Sequence, residues 1–111
     1  MSGHDDAATR REFSEAVTMT GHELESWLGT AQSQEVGQKE DGQEESTGHE
    51  SGRRILAILA TREDELGEDD YAHMRKVVGY VKRHLAQRPD GDVTETPWRY
   101  SLMNWGHDPL K

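Results

Sequence analysis

Apolar residues along this chain recur at spacings of three and four, and that pattern predicts helices. The longest run of this kind lies within Glu68–Arg88, where one apolar stripe follows a single helical face. The strict alternation that indicates half-buried strands is missing throughout. We therefore predict an all-α fold, a small bundle of four to five helices around this long central helix. The stripe contains Tyr71, Met74, Val78, Val81 and Leu85.

Two shorter helices are predicted before the central one from their apolar faces. The first covers residues 10–17. The second begins after Thr20, which forms a capping box with Glu23, and stops at Gly29.

A third helix should follow Thr47, whose Thr-Gly-His-Glu sequence repeats the box at Thr20. Its predicted core residues are Ile55, Leu56, Ile58 and Leu59. We expect the central helix to pack on Ile55 and Leu59.

The last predicted helix has signals at both ends. Thr96 is a suitable cap, Pro97 suits the first helical position, and Gly106 suits a left-handed residue after the end. Its apolar face of Trp98, Leu102 and Trp105 should close the core.

Two segments lack apolar periodicity. Residues 1–9 read as a flexible tail, and residues 30–46 read as a long polar, acidic loop. The resulting organisation is one helical domain over 10–111, loop included.

Charge is distributed unevenly along the chain. The formal net charge is -9, from 22 acidic and 13 basic residues, and residues 1–50 alone carry a balance of -9. Residues 71–88 nevertheless contain five cations and no carboxylate. At 100° per residue, Lys76 and Arg83 fall opposite the apolar stripe, and Arg75 and Lys82 flank it.

Together with two arginines early in the third helix, these cations are the candidate phosphate contacts: Arg53, Arg54, Arg75, Lys76, Lys82, Arg83 and Arg88. The alternative is that they pair with the protein's own acidic half. Gly79 interrupts the central helix beside these cations, which suggests close approach of another backbone there.

No residue pattern predicts catalysis, a metal site or a cofactor. Cysteine is absent. His73 and His84 are eleven residues apart on one helix, too far to share a metal ion. The sequence gives no reason to assemble Ser51 or Ser101 with a histidine into a nucleophilic site.

The longest apolar run, Ile55–Ala60, is too short to cross a bilayer, and the first residues lack an apolar signal core. We expect a cytoplasmic protein with no membrane contact.

Several long strings resemble the domain-of-unknown-function family number 3140, a family of short prokaryotic proteins. They are VGQK at 36–39, ESTGHESGRRI at 45–55, YAHMRKVVGYVKRHLAQRP at 71–89 and WRYSLMNWGHDPLK at 98–111. The resemblance implies no established activity, although some members are labelled as DNA-binding. It also implies that the ends of the 30–46 segment belong to the domain.

The leading hypothesis is a non-enzymatic accessory protein that contacts nucleic acid, mostly at phosphate, through the basic helix. The rival is an interaction module whose basic face docks an acidic protein or a second copy of this chain. A small-ligand or metal-dependent enzyme ranks third.

Overall fold

Six α-helices and no strand follow one another along residues 6–37 and 47–111, the parts of the chain that the computed structural model describes. This confirms the all-α class. A short 3₁₀ turn at Glu63–Glu65 separates the fourth and fifth helices. The helices are α1 (Asp6–Ala16), α2 (Gly21–Leu28), α3 (Ala31–Gly37), α4 (Thr47–Leu59), α5 (Glu68–Leu85) and α6 (Pro97–Asn104).

The predicted capping signals are present where their side chains are described. The Thr20 hydroxyl accepts the Glu23 amide at 3.1 Å, and the Glu23 carboxylate accepts the Thr20 amide at 2.9 Å. Thr96 caps α6, and Gly106 has the left-handed φ of 80°. The matching box at Thr47 depends on a side chain outside the described set.

The apolar core lies where α5 packs against α1 on one side and against α4 and α6 on the other. The predicted α6 face is buried as expected, with Leu102 fully enclosed. Four residues of the predicted α5 stripe, Tyr71, Met74, Val78 and Val81, are buried, and Val77, which was not in the prediction, is buried beside them. The most enclosed apolar side chains are Leu24, Ile55, Val77, Val93 and Leu102.

Two leucines expected in the core are exposed. Leu59 is 44% exposed and Leu85 is 36% exposed, so their assignment to the interface was wrong. Both are the last residue of a helix, where the neighbouring helices cover the side chain only in part. Val93 and Trp98, from the chain that returns across the end of α5, close the core there instead.

The segment expected to be a loop is helical over Ala31–Gly37, while residues 38–46 lie outside the described residues. The reason is a tertiary contact between α3 and α6. Ser33 is fully buried, and its hydroxyl and carbonyl both bond to the side chain of Asn104. Sequence periodicity does not reveal a helix that is anchored through a polar residue.

Helix boundaries differ from prediction at two other places. α1 begins at Asp6 rather than at residue 10, and its Thr9 is buried, so the predicted tail is too long. α5 ends at Leu85, which leaves Arg88 outside the helix. Pro89 disfavours helical geometry in the residue before it, consistent with the earlier end.

Candidate nucleic-acid interface

The seven predicted phosphate contacts do not form one surface. On α5, Lys76 and Arg83 lie on nearly the same side because they are seven residues apart, and Arg75 and Lys82 share a side for the same reason. Adjacent residues of a helix differ by about 100°, so the two pairs project about 100° away from each other. The structure therefore divides the cations of this helix between two sides. α1 occupies the space next to one side, and the other side is open.

On the side of α5 that faces α1, carboxylates compensate the positive charges of the cations. Lys82 Nζ lies 4.0 Å from the Glu12 carboxylate of α1. Arg75 is half-buried in a cleft that it shares with Asp6, Glu68 and Asp69. These two cations are poor candidates for an external anion.

The open side carries Lys76 and Arg83, both exposed. Arg83 folds back along α5, and its Nη1 lies 3.0 Å from the position of a methyl group at Gly79. The neighbour of Gly79 is therefore a side chain of the same helix, and the expected close backbone approach is wrong at this position. The glycine leaves room for Arg83 to point towards Lys76.

A cleft between α4 and α5 extends this row of cations. It has a volume of about 460 Å³, and its lining includes Arg53, Arg54 and Lys76. Arg54 also lies 3.7 Å from Asp70, in an ion pair that is partly exposed. Three of the predicted contacts thus meet at one concavity, and Arg83 lies two helical turns further along.

Ser51 and His73 form the inner wall of the cleft, an association that the sequence did not indicate. Ser51 is buried, and its Oγ lies 2.9 Å from His73 Nε2. Burial lowers the pKa of His73, and the positive charges of Arg54 and Lys76 lower it further. The ring is therefore predominantly neutral at pH 7.

A series of stacked rings runs beside the cations, on the α5 face that carries His73, Tyr80 and His84. Tyr80 stacks on Trp105 with ring centroids 4.2 Å apart and on His84 at 5.2 Å. The stack continues from Trp105 to His73 and from His84 to Trp98. Arg88 closes it, with its guanidinium carbon 5.4 Å from the centre of the Trp98 ring.

These rings stabilise the α5–α6 contact and already have stacking partners within the protein. Burial lowers the pKa of His84. Within the described residues its Nε2 is buried with no hydrogen-bond partner, which also favours the neutral ring. The Arg88 guanidinium already lies over the Trp98 ring at the end of the stack, so we no longer count Arg88 among the candidate phosphate contacts.

A sequence signal for the stack exists, because His73, Tyr80 and His84 are spaced by seven and four and share one helical face. The spacing alone does not show that Trp98 of α6 and Trp105, the residue after α6, lie against this face. Ser51 has no comparable signal, since its partner lies on a different helix.

Among the side chains that the structure describes, those of residues 6–36 and 50–111, no three of His, Asp or Glu come together in a way that could hold a metal ion. Over the same ranges, no helix is long and apolar enough to cross a membrane.

The fold and the cleft define a small all-α protein with cations gathered on one open side. The chain belongs to the family described as protein of unknown function (DUF3140), whose family model matches residues 12–103. That match includes all seven predicted contacts. No curated protein and no solved structure matches the chain.

Proposed function

We propose that this protein contacts nucleic acid at phosphate, without enzymatic activity, through the row of cations on the open side of α4 and α5. The observation that supports this function is the meeting of Arg53, Arg54 and Lys76 at one cleft, continued by Arg83. These four residues are called the open row below. Arg75 and Lys82 are left out because they lie on the side of α5 that faces α1, beside carboxylates, and Arg88 because it lies over the Trp98 ring.

Contact should be mainly to the backbone rather than to bases. The aromatic rings beside the open row are stacked on one another, so they are not free platforms for bases. Arginine and lysine recognise phosphate by charge and hydrogen bonds, which carry no sequence information by themselves. The net charge of -9 opposes association at long range and keeps the affinity low.

Titration of duplex DNA at several salt concentrations tests the proposal. Four phosphate contacts at about -0.9 each predict a log-log salt slope no steeper than about -3.6. We expect a dissociation constant of about 10⁻⁴ to 10⁻⁶ M near physiological salt, with little dependence on sequence. Fluorescence anisotropy with two unrelated duplexes of equal length measures both quantities.

A matched pair of double variants locates the contact. Lys76→Gln with Arg83→Gln removes two cations of the open row and should reduce the magnitude of the slope by about 1.8. Arg75→Gln with Lys82→Gln removes the same charge from the same helix on the side that faces α1, and should leave the slope unchanged. Equal losses from the two pairs would show only a general charge effect and would contradict this interface.

The second candidate function is docking of an acidic protein surface or a second copy of this chain. It is favoured by the ion pairs Lys82–Glu12 and Arg54–Asp70, in which the protein's own carboxylates bind its cations. This alternative predicts no DNA binding even at low salt. It also predicts self-association in light scattering, or capture of an acidic partner, that Lys76→Gln with Arg83→Gln abolishes.

A further inference from the structure

The cleft between α4 and α5 differs from the rest of the open row because it is concave and has a polar inner wall. We propose that it binds a terminal phosphate, a phosphomonoester at the end of a nucleic-acid strand, in preference to the phosphodiesters within the strand. This inference rests on the proposed function and adds the chemical class of the group that enters the cleft.

The charges around the cleft fit a doubly charged group. Its lining has the three cations Arg53, Arg54 and Lys76 and the carboxylate of Glu50, and the Asp70 carboxylate lies 3.7 Å from Arg54, so three cations face two carboxylates. A phosphomonoester carries a charge of about -1.5 to -2 at pH 7 and presents three acceptor oxygens. An internal phosphodiester carries a single charge, so it gains less from three converging cations.

The shape of the site favours a chain end. In a duplex, every internal phosphate is joined to the strand on both sides and lies on the outside of a rod. A cleft of about 460 Å³ between two helices can receive a group that projects from one attachment point. Lys76 and Arg83 are seven residues apart, about 10 Å along α5, so Arg83 can reach the next part of the strand outside the cleft.

The inner wall can donate a hydrogen bond to the group. When His73 Nε2 carries the ring proton, it donates to Ser51 Oγ at their 2.9 Å separation. The hydroxyl hydrogen of Ser51 is then available to a phosphate oxygen. The His73 ring stacks on Trp105, with centroids 6.2 Å apart, and this contact restrains the ring that orients Ser51.

The test compares one short single-stranded oligonucleotide in two forms, with a 5′-phosphate and with a 5′-hydroxyl, both labelled at the 3′ end. We expect the phosphorylated form to bind about tenfold or more tightly, the effect of one or two additional charged hydrogen bonds. Equal affinity of the two forms would overturn the terminal assignment and leave the proposed function standing.

Exposed residues provide the variants, and circular dichroism checks that each is folded. Lys76→Gln and Arg53→Gln, within the cleft, should remove most of the preference for the phosphorylated form. Arg83→Gln, outside it, should weaken both forms by the same factor. A preference that survives both cleft variants would also overturn the assignment.

Binding of neither oligonucleotide would count against the proposed function. The cleft is then tested alone with a nucleoside 5′-monophosphate, the corresponding nucleoside and inorganic phosphate, followed through tryptophan fluorescence because Trp105 stacks on His73. Saturable binding of the monophosphate, lost in Lys76→Gln and absent with the nucleoside, supports a phosphomonoester cleft. No binding of the monophosphate overturns it, and equally tight binding of inorganic phosphate also overturns the assignment to a strand end, because the attached nucleoside would then add nothing.

Discussion

Individual polar residues decide how the helices of this protein fit together. Asn104 is 99% enclosed, and its side-chain oxygen accepts the Trp27 indole N–H at 2.7 Å and the Ser33 hydroxyl. One side chain thus joins α2, α3 and α6. A buried polar group of this kind stabilises a structure only while all its partners are present.

Asn104→Ala should therefore cost more than the loss of an exposed amide. It leaves Trp27 Nε1 and the Ser33 hydroxyl without an acceptor, and each unsatisfied buried group costs about 1–3 kcal/mol. We expect a lower free energy of unfolding in urea and faster amide hydrogen exchange in α3. Exchange in α3 that is unchanged would contradict the role of Asn104 as its anchor.

The histidines of the ring stack make stability depend on pH. The pKa values of His73 and His84 are lowered in the folded protein, chiefly by burial, so the unfolded state binds more protons near pH 6. The neutral rings therefore contribute their full share to the free energy of unfolding above the ordinary histidine pKa of about 6.5. This contribution is lost as the pH falls towards the pKa of the folded protein.

His84→Phe tests this origin of the pH dependence. Phenylalanine keeps a ring between Tyr80 and Trp98 and removes the titrating group. We expect the free energy of unfolding to decrease less between about pH 7.5 and pH 5.5 in the variant than in the wild type. Parallel curves for the two proteins would show that His84 is not responsible.

At the scale of the helices, the close packing of α4 against its neighbours depends on Gly52. A methyl group at Gly52 of α4 would lie 2.7 Å from the Asn104 carbonyl oxygen and 2.7 Å from a Leu28 methyl carbon. Glycine thus lets α4 approach α2 and the end of α6. Nothing in the local pattern separates Gly52 from Gly79, because both interrupt a helix.

Gly52→Ala should destabilise the protein by about 1–3 kcal/mol, since backbone must move to admit the methyl group. Gly79→Ala is the matched control, because its nearest neighbour is the flexible end of Arg83 and alanine favours a helix by about 1 kcal/mol. Thermal unfolding followed by circular dichroism compares the two. A similar effect of both substitutions would mean that the approach at Gly52 is looser than described.

The ends of the helices set which leucines contribute to the core. Leu102 is fully buried, whereas Leu85 is 36% exposed at the last position of α5. We expect Leu102→Ala to cost about 2–5 kcal/mol and Leu85→Ala much less. Urea unfolding of the two variants provides the comparison, and a larger loss from Leu85→Ala would restore the predicted stripe.

At the scale of the whole molecule, residues distant in sequence clamp the helices together. Asp108 accepts both Arg99 Nε at 3.1 Å and Arg99 Nη2 at 3.0 Å, and its own amide donates to the Thr18 hydroxyl at 2.9 Å. Burial acts to raise the pKa of Asp108, but hydrogen bonds from Arg99 and Leu110 outweigh it and leave the pKa lowered. The region after α6 is thereby fixed to the connection between α1 and α2.

A double-mutant cycle measures this clamp against an exposed pair of the same chemistry. Arg99→Ala with Asp108→Ala should show a coupling free energy of about 0.5–3 kcal/mol, because the pair is mostly buried and has two parallel bonds. Arg62→Ala with Asp64→Ala, whose side chains are 75% and 70% exposed, should show less than about 1 kcal/mol. Equal coupling free energies for the two pairs would show that the Arg99–Asp108 pair contributes no more to stability than an exposed ion pair.

The sequence by itself determined the features that depend on neighbouring residues. Capping at Thr20 and Thr96 and the left-handed turn at Gly106 are local, since each is set by residues within one turn of helix. The all-α class and the family also followed from the sequence. The directions of Lys76 and Arg75 on α5 were predictable too, because helical geometry fixes the angle between them.

Only the tertiary structure decided which polar and charged groups meet across helices. Periodicity records that a residue faces inward or outward, but not which helix lies opposite it. Ser33 with Asn104, Ser51 with His73, and Gly52 with Leu28 are separated in sequence by 71, 22 and 24 residues respectively. The cleft arises in the same way, because α4 and α5 each contribute cations and only their packing brings Arg53 and Arg54 to the same concavity as Lys76.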